Sequence, residues 1–487
     1  MSAPICETHG RRAFLKRSAQ LATTGAALPV VLQLAAMGEA AAMTANDYKA
    51  LVCVFLYGGN DQANTVVPYD VRSHKRYTAV RGGSGRDEEG IAIARHRLDA
   101  TVLRPAGPIP SGEQYALHPR MTGLSDLFNR GDAAVLLNVG PLVTPLTRAQ
   151  YNSSNRAAYP LPPKLFSHND QQSVWQSSSA EGAARGWGGA MGDLALQSNG
   201  HSLLTCISAS GNAVFVSGSQ ANAYHISTSG PVRITGAHGT GLYGSAAATQ
   251  ALDQIIRQTS THPLEAAYAE VVRRSMTTES QVSAALRASA APAAGMGRLP
   301  AGNPLADQLQ MVARLIAARE HLGLKRQVFL VSLSGFDLHD GLMTKHAPLL
   351  GQLSEAMTAF HNAMSSVGLG GQVTSFTASD FGRTLTSNGD GSDHGWGSHH
   401  FIVGAAVQGA MFYGKPPPIS VGNGSAEEDQ WHVGQGRLLP STSVDQYAAT
   451  LARWFGISNS EMTTVMPNLS NFGGSDYPKD LGFMRQI

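Results

Sequence analysis

Cysteine is almost absent from this chain: Cys6, Cys53 and Cys206 are the three in 487 residues, and none forms a Cys-x-x-Cys pair. A disulfide-stapled scaffold and a cysteine-ligated zinc knuckle are thereby excluded. Cys53 and Cys206 lie inside apolar runs and read as packing residues. Charge is scarce as well. Asp, Glu, Lys and Arg make up 14% of the residues, against roughly 25% in an ordinary soluble domain. No run of Lys or Arg supplies the basic field that nucleic acid or acidic lipid would need, so neither is an expected partner. Beyond residue 37 no stretch of 18 apolar residues occurs, and no stable membrane span is expected in the remaining chain.

What is present begins at the N-terminus. Arg11-Arg12-Ala13-Phe14-Leu15-Lys16, the weakly apolar stretch 19–37 and the small-residue tail 40–42 have the charged, apolar and cleavage regions of a secretory signal. The paired arginines resemble a Tat-type signal over residues 1–42, with the Tat translocase as partner and a periplasmic or secreted destination. Without those residues, 36 − 4 = 32 Lys and Arg face 34 − 2 = 32 Asp and Glu, so the exported chain is formally neutral.

Short apolar runs without clean alternation cover 50–57, 133–139, 202–207, 327–333, 373–377 and 400–407. Strands covered on both faces read this way, which predicts a largely parallel sheet. Helical periods lie between them, at 305–322, 348–367 and 444–455. Alternating strands and helices over residues 43–487 point to a single α/β domain with loop insertions. The Gly, Ser, Thr and Asn of 208–244 predict a loop or a small antiparallel excursion. The Ala, Gly and Pro of 284–304 predict a linker or surface loop.

Acidic and histidine-bearing segments stand beside these runs. Gly58-Gly59-Asn60-Asp61 follows the first, Gly335-Phe336-Asp337-Leu338-His339 the fourth, and Asp380-Phe381-Gly382-Arg383 the fifth. In open α/β sheets ligands collect at the carboxyl ends of strands, and carboxylates and imidazoles bind divalent cations. Residues 393–400 hold His394, His399 and His400, where an average window of eight would hold about 0.3 of the chain's 17 histidines. Alternation at a strand start lets only one of His399 and His400 face a site. Ser167 starts a helical stretch ending in Trp175 and is either a helix cap alone or, with His168 beside it as a second catalytic candidate, the nucleophile. Thr65 is the alternative hydroxyl. Arg383 offers a bidentate grip on phosphate or sulfate, or a partner for Asp380.

Taken together, the twin-arginine signal, Gly-Gly-Asn-Asp61, Ser167-His168-Asn169-Asp170, Gly-Phe-Asp337-x-His339, Ser-Asp380-Phe-Gly-Arg383 and Asp393-His394-Gly-Trp resemble an uncharacterised family of Tat-exported bacterial proteins. That family is assigned to the alkaline phosphatase and sulfatase superfamily. The resemblance implies a doubly wound, alkaline-phosphatase-like sheet and one or two divalent ions (Zn, Mn, Mg or Ca) held by Asp61, Asp337, His339, Asp380 and His394. It also implies a metal-dependent hydrolase of phosphate or sulfate esters acting on a small molecule or glycan. The alternative expectation is a non-catalytic, metal-binding envelope protein that keeps the fold. Two departures bear on the choice: no cysteine stands in a Cys-x-Pro-x-Arg motif, and Asp380 is followed by Phe381 where many active relatives carry His.

Overall fold

The computed structural model describes residues 45–82, 90–109, 112–199, 204–232, 242–258 and 261–485. The signal expected over 1–42, the start of the run at 202–207 and part of the 208–244 segment lie outside them. Eleven strands are described: β1 Lys49–Tyr57, β2 Val66–Pro68, β3 Tyr115–Leu117, β4 Ala133–Gly140, β5 Cys206–Ser208, β6 Tyr224–His225, β7 Arg326–Ser334, β8 Val373–Ser379, β9 Ser398–Val403, β10 Phe412–Tyr413 and β11 Thr442–Ser443. The helices are α1 Gln62–Thr65, α2 Val71–Val80, α3 Thr122–Arg130, α4 Arg148–Asn152, α5 His168–Ser177, α6 Trp187–Ala195, α7 Ala246–Arg257, α8 Pro263–Ala288, α9 Ala290–Gly295, α10 Pro304–Ala317, α11 Leu342–Ser366, α12 Val444–Phe455 and α13 Met462–Val465.

Nine strands form one sheet in the order β10-β4-β9-β8-β1-β7-β5-β6, with β11 beside β4. β1 lies between β8 and β7 and pairs with both in parallel. β9 is the exception to the largely parallel reading, because it runs antiparallel to both β4 and β8. The apolar residues of β1 are buried on both sides of the sheet. Ala50, Val52, Val54 and Leu56 share a core cluster with Leu309, Val312 and Ile316 of α10 and Leu353, Met357 and Phe360 of α11. On the opposite face Cys53 is aligned with Phe376, whose ring meets Trp187 of α6 and Tyr447 of α12. Helices on both faces explain why these strands read as continuous apolar runs. Burying each large apolar side chain contributes about 1.5–3 kcal/mol.

The helix ends follow from side-chain capping. Asn303 accepts from Leu305 N and Ala306 N ahead of Pro304, and Ser443 with Gln446 closes a capping box on α12. Two expectations are corrected. Residues 284–304 are not all loop: α8 runs to Ala288 and α9 covers Ala290–Gly295, because alanine is the best helix former and outweighs the scattered Gly and Pro. Within 208–244 the described residues are mostly loop, as expected, and the strand there is not part of an antiparallel excursion. β6 pairs with β5 in parallel, and the alternating Val214–Val216 is a 3-10 turn. Among the described residues no helix is long and apolar enough to cross a membrane.

Candidate metal centre

β8, β1 and β7 are adjacent and parallel, so their carboxyl ends come together at one edge of the sheet. Gly58–Asp61, Gly335–His339 and Asp380–Arg383 leave from those ends. β9 is reversed, so the loop preceding it, which carries Asp393 and His394, starts from the same edge. Two glycines allow the exits to meet. Gly58 has φ +113, and a Cβ there would lie 2.4 Å from Asp337 N; a Cβ on Gly59 would lie 2.4 Å from the Phe381 ring.

Three imidazoles converge on the carboxylate of Asp337. His168 Nε2 lies 3.3 Å from its Oδ2, while His394 Nε2 and His339 Nε2 lie 3.3 Å and 3.2 Å from its Oδ1. Each ring is turned by an acceptor at its other nitrogen. His168 Nδ1 donates to Asp380 Oδ2 at 2.6 Å, His394 Nδ1 to the Phe166 carbonyl at 2.8 Å, and His339 Nδ1 to Asp393 Oδ1 at 3.1 Å. With Nδ1 donating, neutral imidazole presents a lone pair at Nε2. His339 Nε2 and His394 Nε2 stand 2.9 Å apart. Two facing lone pairs at that separation repel unless a proton or a cation lies between or beside them. The buried His168 Nε2 has no hydrogen-bond partner, and it lies with a ligand atom of Asp337 and of His394 within 4.8 Å of one another. This donor set fits a divalent cation.

Electrostatics divide the group. The hydrogen bond to Asp380 raises the His168 pKa above its ordinary value, against burial. Burial lowers that of His394 despite its bond to Phe166. Burial opposes ionisation of Asp337, but the Arg383 guanidinium overcomes it and holds the carboxyl below the usual range.

The other sequence candidates stand around this cluster. Asp380 is fully buried and accepts from His168, Gln172 Nε2 at 2.8 Å and Gly58 N at 3.2 Å, so it stands behind His168. Asp61 lies outside the cluster. Its Oδ1 caps α1 at Asn64 N, and its Oδ2 pairs with Arg81 at 2.6 Å and accepts from Ser392 Oγ at 3.0 Å. Both partners of that ion pair are buried. Burial opposes its charge, yet Arg81 keeps the Asp61 carboxyl below its ordinary range. Arg383 is fully buried, and its donors go to Asp337, the carbonyls of Gly58, Gly59, Phe336 and Ser392, and His339. Ser167 begins α5 without capping it through its side chain and donates to Asp170 Oδ2 at 2.9 Å. Thr65 donates to the Asp61 carbonyl at 2.7 Å. Neither strand histidine reaches the cluster: His399 Nδ1 accepts from Asn138 N, and His400 Nδ1 pairs with Thr377 Oγ1.

Gln172, Arg81 and Arg437 were not marked as site residues by the sequence, and Asp393 stood out there only as part of its motif. Arg437 donates through Nε to the His394 carbonyl at 2.9 Å and lies over the Phe166 ring at 5.2 Å. The only signal for Gln172 was its place one helical turn after His168.

Residues 48–464 match the family described as Protein of unknown function (DUF1501). The chain belongs to that family. The match spans all three strand exits, α5 and the His394 loop, so the cluster is built entirely within the family's own region. No curated protein matches the chain. A solved structure described as "Crystal structure of Ps i-CgsB in complex with k-i-k-neocarrahexaose" is 10% identical over 89% of this chain and 78% of that chain, with a TM-score of 0.32. Likeness at that level fixes neither fold type nor chemistry.

Proposed function

We propose that this member of the DUF1501 family is an exported, metal-dependent hydrolase of phosphate or sulfate esters, built on the alkaline-phosphatase plan. The observation that carries the reading is the convergence of three Nδ1-anchored histidines on one carboxylate at the carboxyl edge of a parallel sheet. His168, Asp337 and His394 would hold a divalent cation, with His339 as the fourth donor. A nitrogen-rich set suits zinc better than manganese, magnesium or calcium. A cation in such a site lowers the pKa of bound water from about 16 towards ~7.

The chain's own residues would do the rest. Asp380 and Asp393 fix the tautomers of His168 and His339. Asp61, through Ser392, positions the loop that delivers His394. Ser167, at the start of α5, is the candidate nucleophile, and its hydroxyl already donates to the buried carboxylate of Asp170. Arg437 would grip the ester's anion in place of Arg383, whose donors are spent inside the fold. The substrate is accordingly a small-molecule or glycan ester, reached after Tat-dependent export to the periplasm or beyond.

The engagement of Arg383 favours one second reading, a non-catalytic envelope protein that keeps the ion for stability. A screen of phosphomonoesters, phosphodiesters and sulfate esters, run with and without chelator, separates the two. Chelator-sensitive turnover of any class supports the hydrolase. Bound metal without turnover of any ester supports the second reading.

A further inference from the structure

The metal centre does not use α7 and α8, and these helices carry four of the seven large apolar side chains that stand exposed among the described residues. They are Ile255, Leu264, Tyr268 and Val271, at 65, 76, 73 and 50% exposure. No described side chain of α7 is buried, and none of α8 before Thr278. The first 15 residues of α8 therefore extend about 22 Å without a buried face. Ile255, Ile256, Leu264, Tyr268, Ala269 and Val272 line an open groove between the two helices. Leu264, Tyr268 and Val271 are spaced four and three apart, which puts them on one stripe. Helices are stabilised mostly by packing such a stripe, and a contiguous exposed one marks an interaction surface.

The charges select the occupant. Residues 263–277 contain Glu265 and Glu270 in the first half and Arg273 and Arg274 behind them, with no other charge. That balance gives no net attraction for an anionic membrane or for nucleic acid, both of which favour Lys- and Arg-rich faces. It is self-complementary end to end. A two-fold axis crossing α8 between residues 269 and 270 sets Glu265 opposite the second copy's Arg274, and Tyr268 opposite its Val271. An isologous contact requires that kind of reciprocity.

We infer that the exposed half of the α7–α8 hairpin is a homodimer interface, in which two copies of α8 pack antiparallel around Tyr268 and Val271. The inference is independent of the hydrolase reading. Sedimentation equilibrium of the purified protein tests it. Wild type should show a concentration-dependent monomer–dimer equilibrium. Tyr268→Glu should weaken dimerisation by about tenfold or more, as expected for loss of a central aromatic anchor. Glu265→Arg and Arg274→Glu should each weaken it, and the double variant should recover most of the loss, which a variant that merely frays the helix could not do. Circular dichroism checks that the helices persist. A strictly monomeric wild type, a dimer indifferent to Tyr268→Glu, or a charge-swapped double variant no tighter than the singles would each overturn the inference. A wild-type monomer that sediments with anionic vesicles would also overturn it and assign the face to lipid.

Discussion

Asp380 and His168 are separated by 212 positions in sequence and by 2.6 Å in space. The carboxylate that follows β8 turns away from the cluster's open side and holds the first residue of α5. Its negative charge fixes Nδ1 as the protonated nitrogen and leaves Nε2 facing Asp337.

Asp380→Ala should therefore leave a cluster with its donors present but His168 unanchored. Loss of a carboxylate behind a metal-binding histidine typically costs 10- to 100-fold in metal affinity. Competition with a chromogenic chelator should show a drop of that size. Unchanged affinity would mean that Asp380 serves only the packing of α5.

Asp61→Asn separates two roles that the sequence could not. If Asp61 acts through its buried pair with Arg81, the variant loses about 3–5 kcal/mol of stability, because the guanidinium is left uncompensated. Metal content per folded molecule would stay at the wild-type value. Denaturant unfolding and elemental analysis on the same preparation provide both readings. A metal-free variant of near-normal stability would instead make Asp61 a ligand.

Four buried histidines predict a sensitivity to acid. Burial pushes His118 and His400 down to about 3, and His346 and His399 down to about 4. Unfolded histidine binds its proton near pH 6.5, so below that pH the unfolded chain takes up protons that the folded one refuses. The stability these rings contribute is complete above pH 6.5 and declines as pH falls from 6.5 towards 3–4, by up to about 1.4 kcal/mol per pH unit for each ring. Urea midpoints measured between pH 7 and 4.5 should fall with acid. His400→Phe, which keeps a ring against Trp175, should flatten the slope.

Ser167→Ala should abolish any esterase turnover while metal content holds. Its hydroxyl is bonded to Asp170 and makes no side-chain cap to α5, so stability should change by less than the ~1 kcal/mol of a lost cap. Full turnover in the variant would remove Ser167 from the chemistry.

The strand exits were legible in the sequence because an apolar run, a glycine pair and an acid are all local signals, as at Tyr57-Gly58-Gly59-Asn60-Asp61. The three histidines of 393–400 drew attention to the right loop, yet only His394 faces the cluster. The direction of β9 decides that, and strand direction is a property of the whole sheet. The exchange of positions between His168 and Asp380 was hidden for the same reason: the sequence offers both as metal-binding types, and the placement of α5 determines which one faces inward. Asp61 carried every local mark of a ligand, but its partner Arg81 lies on the far side of α2, and the pairing forms only when that helix folds back. The α8–α9 segment was misread because its scattered Gly and Pro signal a loop, while its alanines favour helix and Val282, Ala285 and Leu286 pack into the core from the helical side.

The proposed chemistry requires a cation among His168, Asp337 and His394. Elemental analysis of purified protein, alongside His394→Ala and Asp337→Asn, tests that most directly. The account predicts at least one equivalent of a divalent transition metal in wild type, a melting temperature that chelator lowers, and loss of both the metal and the chelator effect in each variant. Metal-free wild type that cannot be loaded with zinc or manganese, and whose melting curve is unchanged by chelator, would contradict it.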